Sequence, residues 1–149
     1  MAVASRYTVA IHALTWIAEM TMNKDDYVPS NQVAVSVGTS PVFIRRILGQ
    51  LRKAGIVIVK HGGTDTGWRL ARNPEAISLL EVYEALEQKP LFELHHSTPS
   101  NSCLIAQGIQ PALSHLYGQT EDAMKQQLSM YSISDVLKET LAHASEKKS

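Results

Sequence analysis

The chain runs to 149 residues, 44% of them hydrophobic, and its 14 Lys/Arg balance its 14 Asp/Glu; that is material for one core of ordinary domain size. No apolar run reaches the ~18–20 residues that cross a bilayer, so no membrane span is expected. A single cysteine, Cys103, excludes an intrachain disulfide framework and suits a reducing compartment, which makes the cytoplasm the expected location.

The neutral total hides a division. Met1 to Arg72 carries nine Lys/Arg against four Asp/Glu, whereas Asn73 onward carries five Lys against ten. A basic first half suits a polyanion and leaves the acidic half to another task. Chance clustering on solvated helices is the alternative.

The first stretch, Tyr7 to Met20, places Val9, Ile11, Ala13/Leu14 and Ile17/Ala18 at helical spacing. Arg6, His12 and Glu19 interrupt its apolar character, so it reads as an amphipathic helix and not as a signal peptide. Asn23–Asp26 is a polar break. Ser30 is the expected N-cap of a second helix with Val33, Ala34 and Val37 inward. Gly38 then supports a tight turn. Ser40 caps a third helix and Pro41 takes its first position, where a missing N–H costs nothing. Ile44, Ile47, Leu48 and Leu51 form its inner face, and Gly55 ends it.

Two helices joined by a short glycine-containing turn make a helix-turn-helix pattern, weak on its own. The continuation strengthens it. Ile56–Val59 is β-branched and strand-like, and Trp68–Ala71 can pair with it antiparallel. His61–Gly67 between them is a loop of turn residues. Helix-turn-helix followed by hairpin is the order of a winged helix. Glycine in the wing exposes backbone N–H groups, Thr64 and Thr66 add hydroxyls, and Lys60, Arg69 and Arg72 add charge. Trp68 is expected to pack the hairpin onto the helices.

Beyond the wing, Asn73-Pro74 ends the strand, and Ser78 with Glu81 reads as a capping box opening a helix with Leu79, Val82, Tyr83 and Leu86 inward. Lys89-Pro90 closes it. Phe92–Ser102 is a polar loop. Leu104–Met130 reads as a long helix in which Pro111 marks a kink or a late start. Leu113, Leu116, Tyr117, Thr120, Ala123, Met124 and Leu128 recur on it every three or four residues. Such a helix on a small domain calls for a partner, and these residues are the expected dimer contacts. Ser132 with Asp135 caps a last helix, and the tail SEKKS is expected to fray. The fold class is thus mainly α with a small β-hairpin. Residues 1–90 form the winged helix-turn-helix domain, 91–103 a loop, and 104–149 the dimerisation and C-terminal helices.

Enzymatic chemistry finds no footing. There is no Gly-rich phosphate motif, nucleophile–base arrangement or paired-carboxylate site, and Asp25-Asp26 reads as a solvated turn. His95, His96 and Cys103 could in principle ligate Zn or Fe. Their spacing fits no known template, and no metal or other cofactor is expected. Cys103 is either a thiol sensor before the long helix or a small buried packing residue.

Several stretches together resemble the Rrf-two family of bacterial winged-helix transcription regulators, which includes the iron–sulfur sensors IscR and NsrR and the cysteine-metabolism repressor CymR. They are Ser5-Arg6-Tyr7 with Ala10, Val33-Ala34, Ser40, Phe43-Ile44, Ile47-Leu48, Leu51–Val57, Gly67–Arg72 and Ile77–Val82. The resemblance covers the first half of the chain well and the C-terminal helices loosely. It implies a homodimer joined by the long helix, each protomer setting a recognition helix and a wing on one operator half-site. The wing departs from the family's Arg-Gly and Gly-Gly-Tyr, reading His61-Gly62, a longer tip and Gly67-Trp68. Cluster-binding members also bring three cysteines to the loop before the long helix. With Cys103 alone, thiolate ligation of a cluster is not expected.

On this reading the partner is double-stranded DNA, bound by a homodimeric repressor at a palindromic operator, with an unidentified small-molecule or redox effector. The recognition helix enters the major groove by its N-terminal end, bringing Thr39, Ser40, Pro41, Val42, Arg45 and Arg46. Arg6 and Ser30 are candidates for backbone contacts, and Lys60, His61, Gly62, Thr64, Thr66 and Arg69 for wing contacts. The alternative is a winged-helix module for protein interaction or effector binding without DNA contact.

Overall fold

The computed structural model describes residues 3–22, 24–61, 67–86, 89–95 and 99–147. Among them the chain forms α1 (Val3–Thr21), β1 (Val28–Pro29), α2 (Ser30–Val37), α3 (Pro41–Lys53), β2 (Val57–Lys60) and β3 (Gly67–Leu70). A 3-10 turn (Pro74–Ala76), α4 (Leu79–Leu86), α5 (Leu104–Ser129) and α6 (Ile133–Glu146) follow. The expected winged helix is there: α2 and α3 joined by a tight turn, then the β2–β3 hairpin. In the hairpin Val57 faces Leu70, Val59 faces Trp68 and Lys60 faces Gly67.

The turn chemistry around α3 follows from its residues. Gly38 ends α2 at φ +85°, a left-handed conformation open to glycine, and its N–H donates to the Ala34 carbonyl at 2.8 Å. Ser40 Oγ accepts from the Phe43 N–H at 3.2 Å, and Pro41 follows as the first helical residue. A side-chain N-cap is worth about 1 kcal/mol. Ile44, Ile47, Leu48 and Leu51 all point into the core, and each such buried side chain contributes about 1.5–3 kcal/mol. At the other end, Ala54 is the C-cap and Gly55 takes φ +78°.

The core is built on α1, whose Ala10, Ala13, Leu14 and Ile17 are fully buried. Helices α2, α4 and α6 and strand β3 pack around it. Trp68 lies in this core, as expected. Tyr7 ties α1 to α4: its hydroxyl donates to the Leu79 carbonyl at 2.7 Å, and its ring meets Tyr83 edge-on at 5.6 Å. Burial, helped by Tyr83, pushes the Tyr7 phenol up to about 12. Helix α6 returns to the same core through Ile133 and Leu137. A backbone clip fixes it there, Leu79 N–H donating to Tyr131 O and Ile133 N–H to Ile77 O, both at 2.9 Å.

The structure corrects several local expectations. A short strand, β1, adds to the hairpin, with Val28 opposite Trp68 and Pro29 opposite Gly67, giving the sheet order β1-β3-β2. Ser30 is not the N-cap of α2; Pro29 is, with no side-chain cap, and Ser30 is the first helical residue. The Ser78/Glu81 capping box forms, with its carboxylate shared between the Ser78 backbone and Arg72. Ser78 Oγ accepts from the Glu81 N–H at 3.1 Å, and the Glu81 carboxylate also accepts from Arg72. Helix α5 runs unbroken through Pro111, so there is no late start. The Ser132/Asp135 capping box is complete.

Candidate nucleic-acid interface

The outer face of α3 gathers four cations. Val42, Arg45, Arg46, Arg52 and Lys53 are all exposed, opposite the buried Ile44/Ile47/Leu48/Leu51 face. Val42 is 52% exposed, an apolar group held rigidly beside Pro41 and the Ser40 cap. The side chains of Arg46, Arg52 and Lys53 make no hydrogen bond or ion pair among the described residues. Two further cations are tethered. Arg45 Nη1 reaches Ser30 Oγ at 3.4 Å, and Arg6 Nη2 donates to Gln50 Oε1. Ser30 itself is only 7% exposed. In the protomer its hydroxyl is turned to Arg45.

The root of the wing is organised by a residue that sequence reading missed. Tyr27 lies beneath two cations, with Lys60 Nζ and the Arg69 guanidinium each 5.6 Å from its ring centroid. Such contacts contribute about 0.5–1 kcal/mol at exposed sites. Arg69 also donates to the fully exposed Asp25 at 3.2 Å. No motif announces Tyr27 or Asp25; only the pairing of β1 with β3 brings them to the wing. His61 is exposed at the end of β2. Gly62, Thr64 and Thr66 lie outside the described residues.

Arg52 and Lys53 were also missed, although they stand seven residues after Arg45 and Arg46, the spacing of one helix face. Arg72 contributes less than its charge suggests. It donates to both Glu81 oxygens and to the Ala76 carbonyl. The hydrogen bond from Arg72 holds the Glu81 carboxyl below its ordinary range.

Helix α5 carries two stripes. Ala106, Gln110, Leu113, Tyr117, Glu121, Met124 and Leu128 are half-buried against the rest of the protomer, with Tyr117 5.0 Å from Phe92. Of the expected dimer contacts, Leu113, Tyr117, Met124 and Leu128 thus already face their own chain. Leu116, Thr120 and Ala123 are exposed, as are Ile105, Ile109 and Ala112. Cys103 is exposed at the head of α5, which removes the buried-packing reading.

A family model described as "Iron-dependent Transcriptional regulator" matches residues 3–139. The Bacillus subtilis (strain 168) protein provisionally named HTH-type transcriptional regulator YwnA is 37% identical over 134 residues, covering 89% of this chain and 95% of that protein. A crystal structure provisionally described as a DNA binding protein has 33% identity and a TM-score of 0.68, covering 89% of this chain and 98% of its own. Staphylococcus aureus CymR in its oxidized form has the same fold at 18% identity and a TM-score of 0.67, covering 92% and 96%. The iron of the family description does not fit the donors here. The chain has one cysteine, and among the described residues no three His, Cys, Asp or Glu side chains converge on a metal-sized site; His96 lies outside them. The match over nearly the whole chain and the helix-turn-helix with its wing together establish that this chain belongs to the Rrf2 family of transcriptional regulators and is not an enzyme.

Proposed function

We propose that the protein is a cytoplasmic, homodimeric repressor that binds a palindromic DNA operator without an iron–sulfur cluster. The observation that carries this reading is the outer face of α3, where exposed Arg45 and Arg46 follow an exposed valine next to a pinned helix start. Val42 suits a thymine methyl, the apolar group of the major-groove base edges, and an arginine can pair bidentately with guanine O6 and N7. Thr39, Ser40 and Pro41 lie at the entering end of the helix. Lys60, His61 and Arg69, with Gly62, Thr64 and Thr66 of the wing tip, meet the flanking backbone, and Arg6 does so beside α3.

The dimer seam lies on the exposed stripe of α5. Ile105, Ile109, Ala112, Leu116, Gln119 and Ala123 follow a four-three-four-three-four spacing, the pattern of a two-helix seam. Ile105 is 72% and Leu116 53% exposed in the protomer, and pairing two copies would bury both. Thr120 flanks that seam, while Leu113, Tyr117, Met124 and Leu128 brace the helix from inside. Cys103, at the head of the same helix, is the thiol through which a redox effector would act on the dimer.

Selection of bound sites from a random DNA pool, with and without thiol reductant, tests the proposal. The expected result is an inverted repeat whose half-sites are spaced by about one helical turn or a multiple of it. Binding should be weakened by Arg45→Ala and Arg46→Ala with the fold intact. If a dimer neutralises ~6 phosphates, log affinity falls with log salt at a slope near −5. Salt-independent binding, or a monomer at working concentration, refutes the proposal. Identical selection with and without reductant refutes the role of Cys103 alone.

A further inference from the structure

One residue of α3 has no task inside the protomer. Glycine is the weakest helix former after proline, yet Gly49 stands inside α3. The backbone does not require it, since Gly38 and Gly55 are the glycines with positive φ among the described residues. Packing does not require it either, because beyond its chain neighbours and the adjacent turns of helix backbone a Cβ built on Gly49 meets no atom within 4 Å. Helix stability is given up here with no return from the folded chain itself.

The neighbours indicate where the return lies. Arg45 and Arg46 precede Gly49 by four and three residues, and Arg52 and Lys53 follow it by three and four. Residues at these spacings are surface neighbours on a helix, so four cations rim the position where a side chain is missing. The result is a shallow concavity of ≈ 550 Å³ lined by these four, Gly49 and Gln50.

We infer that a DNA strand crosses α3 at Gly49, its sugar–phosphate backbone against the bare Cα and its phosphate oxygens among Arg46, Arg52 and Lys53. The helix before Gly49, with Val42 and Arg45, then lies in the groove, and its last turn emerges on the far side of the strand. The glycine supplies no donor, because N–H groups inside a helix are committed to the preceding turn. It supplies proximity, on which charge–charge attraction depends. A flexible carboxylate from an acidic protein could reach these cations without that clearance; a stiff polymer backbone lying across the helix needs it. This inference rests on the DNA-binding reading above and extends it to Gly49, Arg52 and Lys53.

The test pairs stability with affinity in the full chain. Gly49→Ala and Gly49→Gln leave the charge unchanged and favour the helix, so both should raise the unfolding midpoint by about 2–4 °C. Both should weaken binding to a random-sequence duplex at low salt, the glutamine variant by about tenfold. Gly118→Ala, at an equally open position in α5, should raise the midpoint and leave DNA affinity unchanged. Arg52→Ala and Lys53→Ala should each flatten the salt slope by about one. Variants at Gly49 that bind as tightly as the parent, or that unfold at lower temperature, overturn the inference; so does an equal loss of affinity in Gly118→Ala. A parent chain that binds no duplex at all overturns the DNA-binding reading beneath it.

Discussion

Substituting Gly67 by alanine probes how the wing is rooted. Gly67 opens β3 and faces Pro29 of β1 on one side and Lys60 of β2 on the other. A Cβ built there falls 2.4 Å from Tyr27 Cβ and 3.6 Å from the Tyr27 carbonyl carbon. Non-bonded carbons prefer about 3.5–4.0 Å, so more than about 1 Å has to be recovered. The Tyr27 Cβ is bonded to the main chain and no rotamer change moves it. Strand β1 must shift away from β3, and overpacking of this kind costs about 1–3 kcal/mol. For a chain of this size each kcal/mol lowers the unfolding midpoint by about 2–4 °C.

The identity of the clashing atom makes the cycle diagnostic. Tyr27→Ala removes the ring but keeps Cβ, so Gly67→Ala should remain as costly in that background. Tyr27→Gly removes Cβ, and there Gly67→Ala should cost less than about 0.5 kcal/mol. Denaturant titration of the six combinations measures this directly. A Gly67→Ala protein as stable as the parent refutes the reasoning, and so does an equal penalty in all three backgrounds.

Three further outcomes follow from other contacts. Asp25→Asn should tighten DNA binding and steepen the salt slope by about one per protomer, because Arg69 is released to a phosphate; weaker binding would mean that Asp25 aims Arg69 and does not compete for it. Leu116→Asp should leave the far-ultraviolet dichroism unchanged and turn the dimer into a monomer in sedimentation, whereas an unaltered dimer would place the seam elsewhere. Glu81 has its pKa depressed by the Arg72 hydrogen bond, so its stabilisation is present above the ordinary carboxylate pKa of about 4.3 and is lost as pH falls through the lower folded value. The stability gap between the parent and Glu81→Gln should therefore close in acid. It should be small throughout, since both side chains are about two-fifths exposed and screened by solvent; a gap that persists at low pH would contradict the assignment.

What the sequence disclosed was what neighbours in the chain decide. The Ser40-Pro41 helix start needs only four consecutive residues, and the Ile44/Ile47/Leu48/Leu51 face needs only helical periodicity. Strand β1 was illegible because two residues, one of them proline, carry no period; it exists because β3 offers an open edge. Ser30 misled for a related reason. A serine at a helix start usually caps it, but here Pro29 sets the extended entry and Ser30 is buried toward Arg45. On α5 two stripes have equally good helical spacing. Periodicity could not say which one leans on its own protomer, so the expected dimer contacts mixed the two.

The same distinction governs the charge. Nine Lys/Arg in the first half of the chain suggested a broad basic face, but counting charge is different from counting charge that can reach a phosphate. Arg72 is committed to Glu81, Arg69 is shared between Asp25 and Tyr27, and Arg6 and Arg45 are held by neutral partners. The neutral tethers leave the positive charge undiminished and restrict where it can point, which lowers the entropy cost of meeting a ligand. The acidic tethers cancel charge near the wing root. Of the charge left uncancelled, four cations gather on α3, at Arg45, Arg46, Arg52 and Lys53, around the one glycine of that helix, while Arg6 and Lys60 keep theirs outside it. An electrostatically narrow interface of this kind should owe its salt dependence mainly to α3, so stripping the wing cations should alter the slope less than stripping the helix.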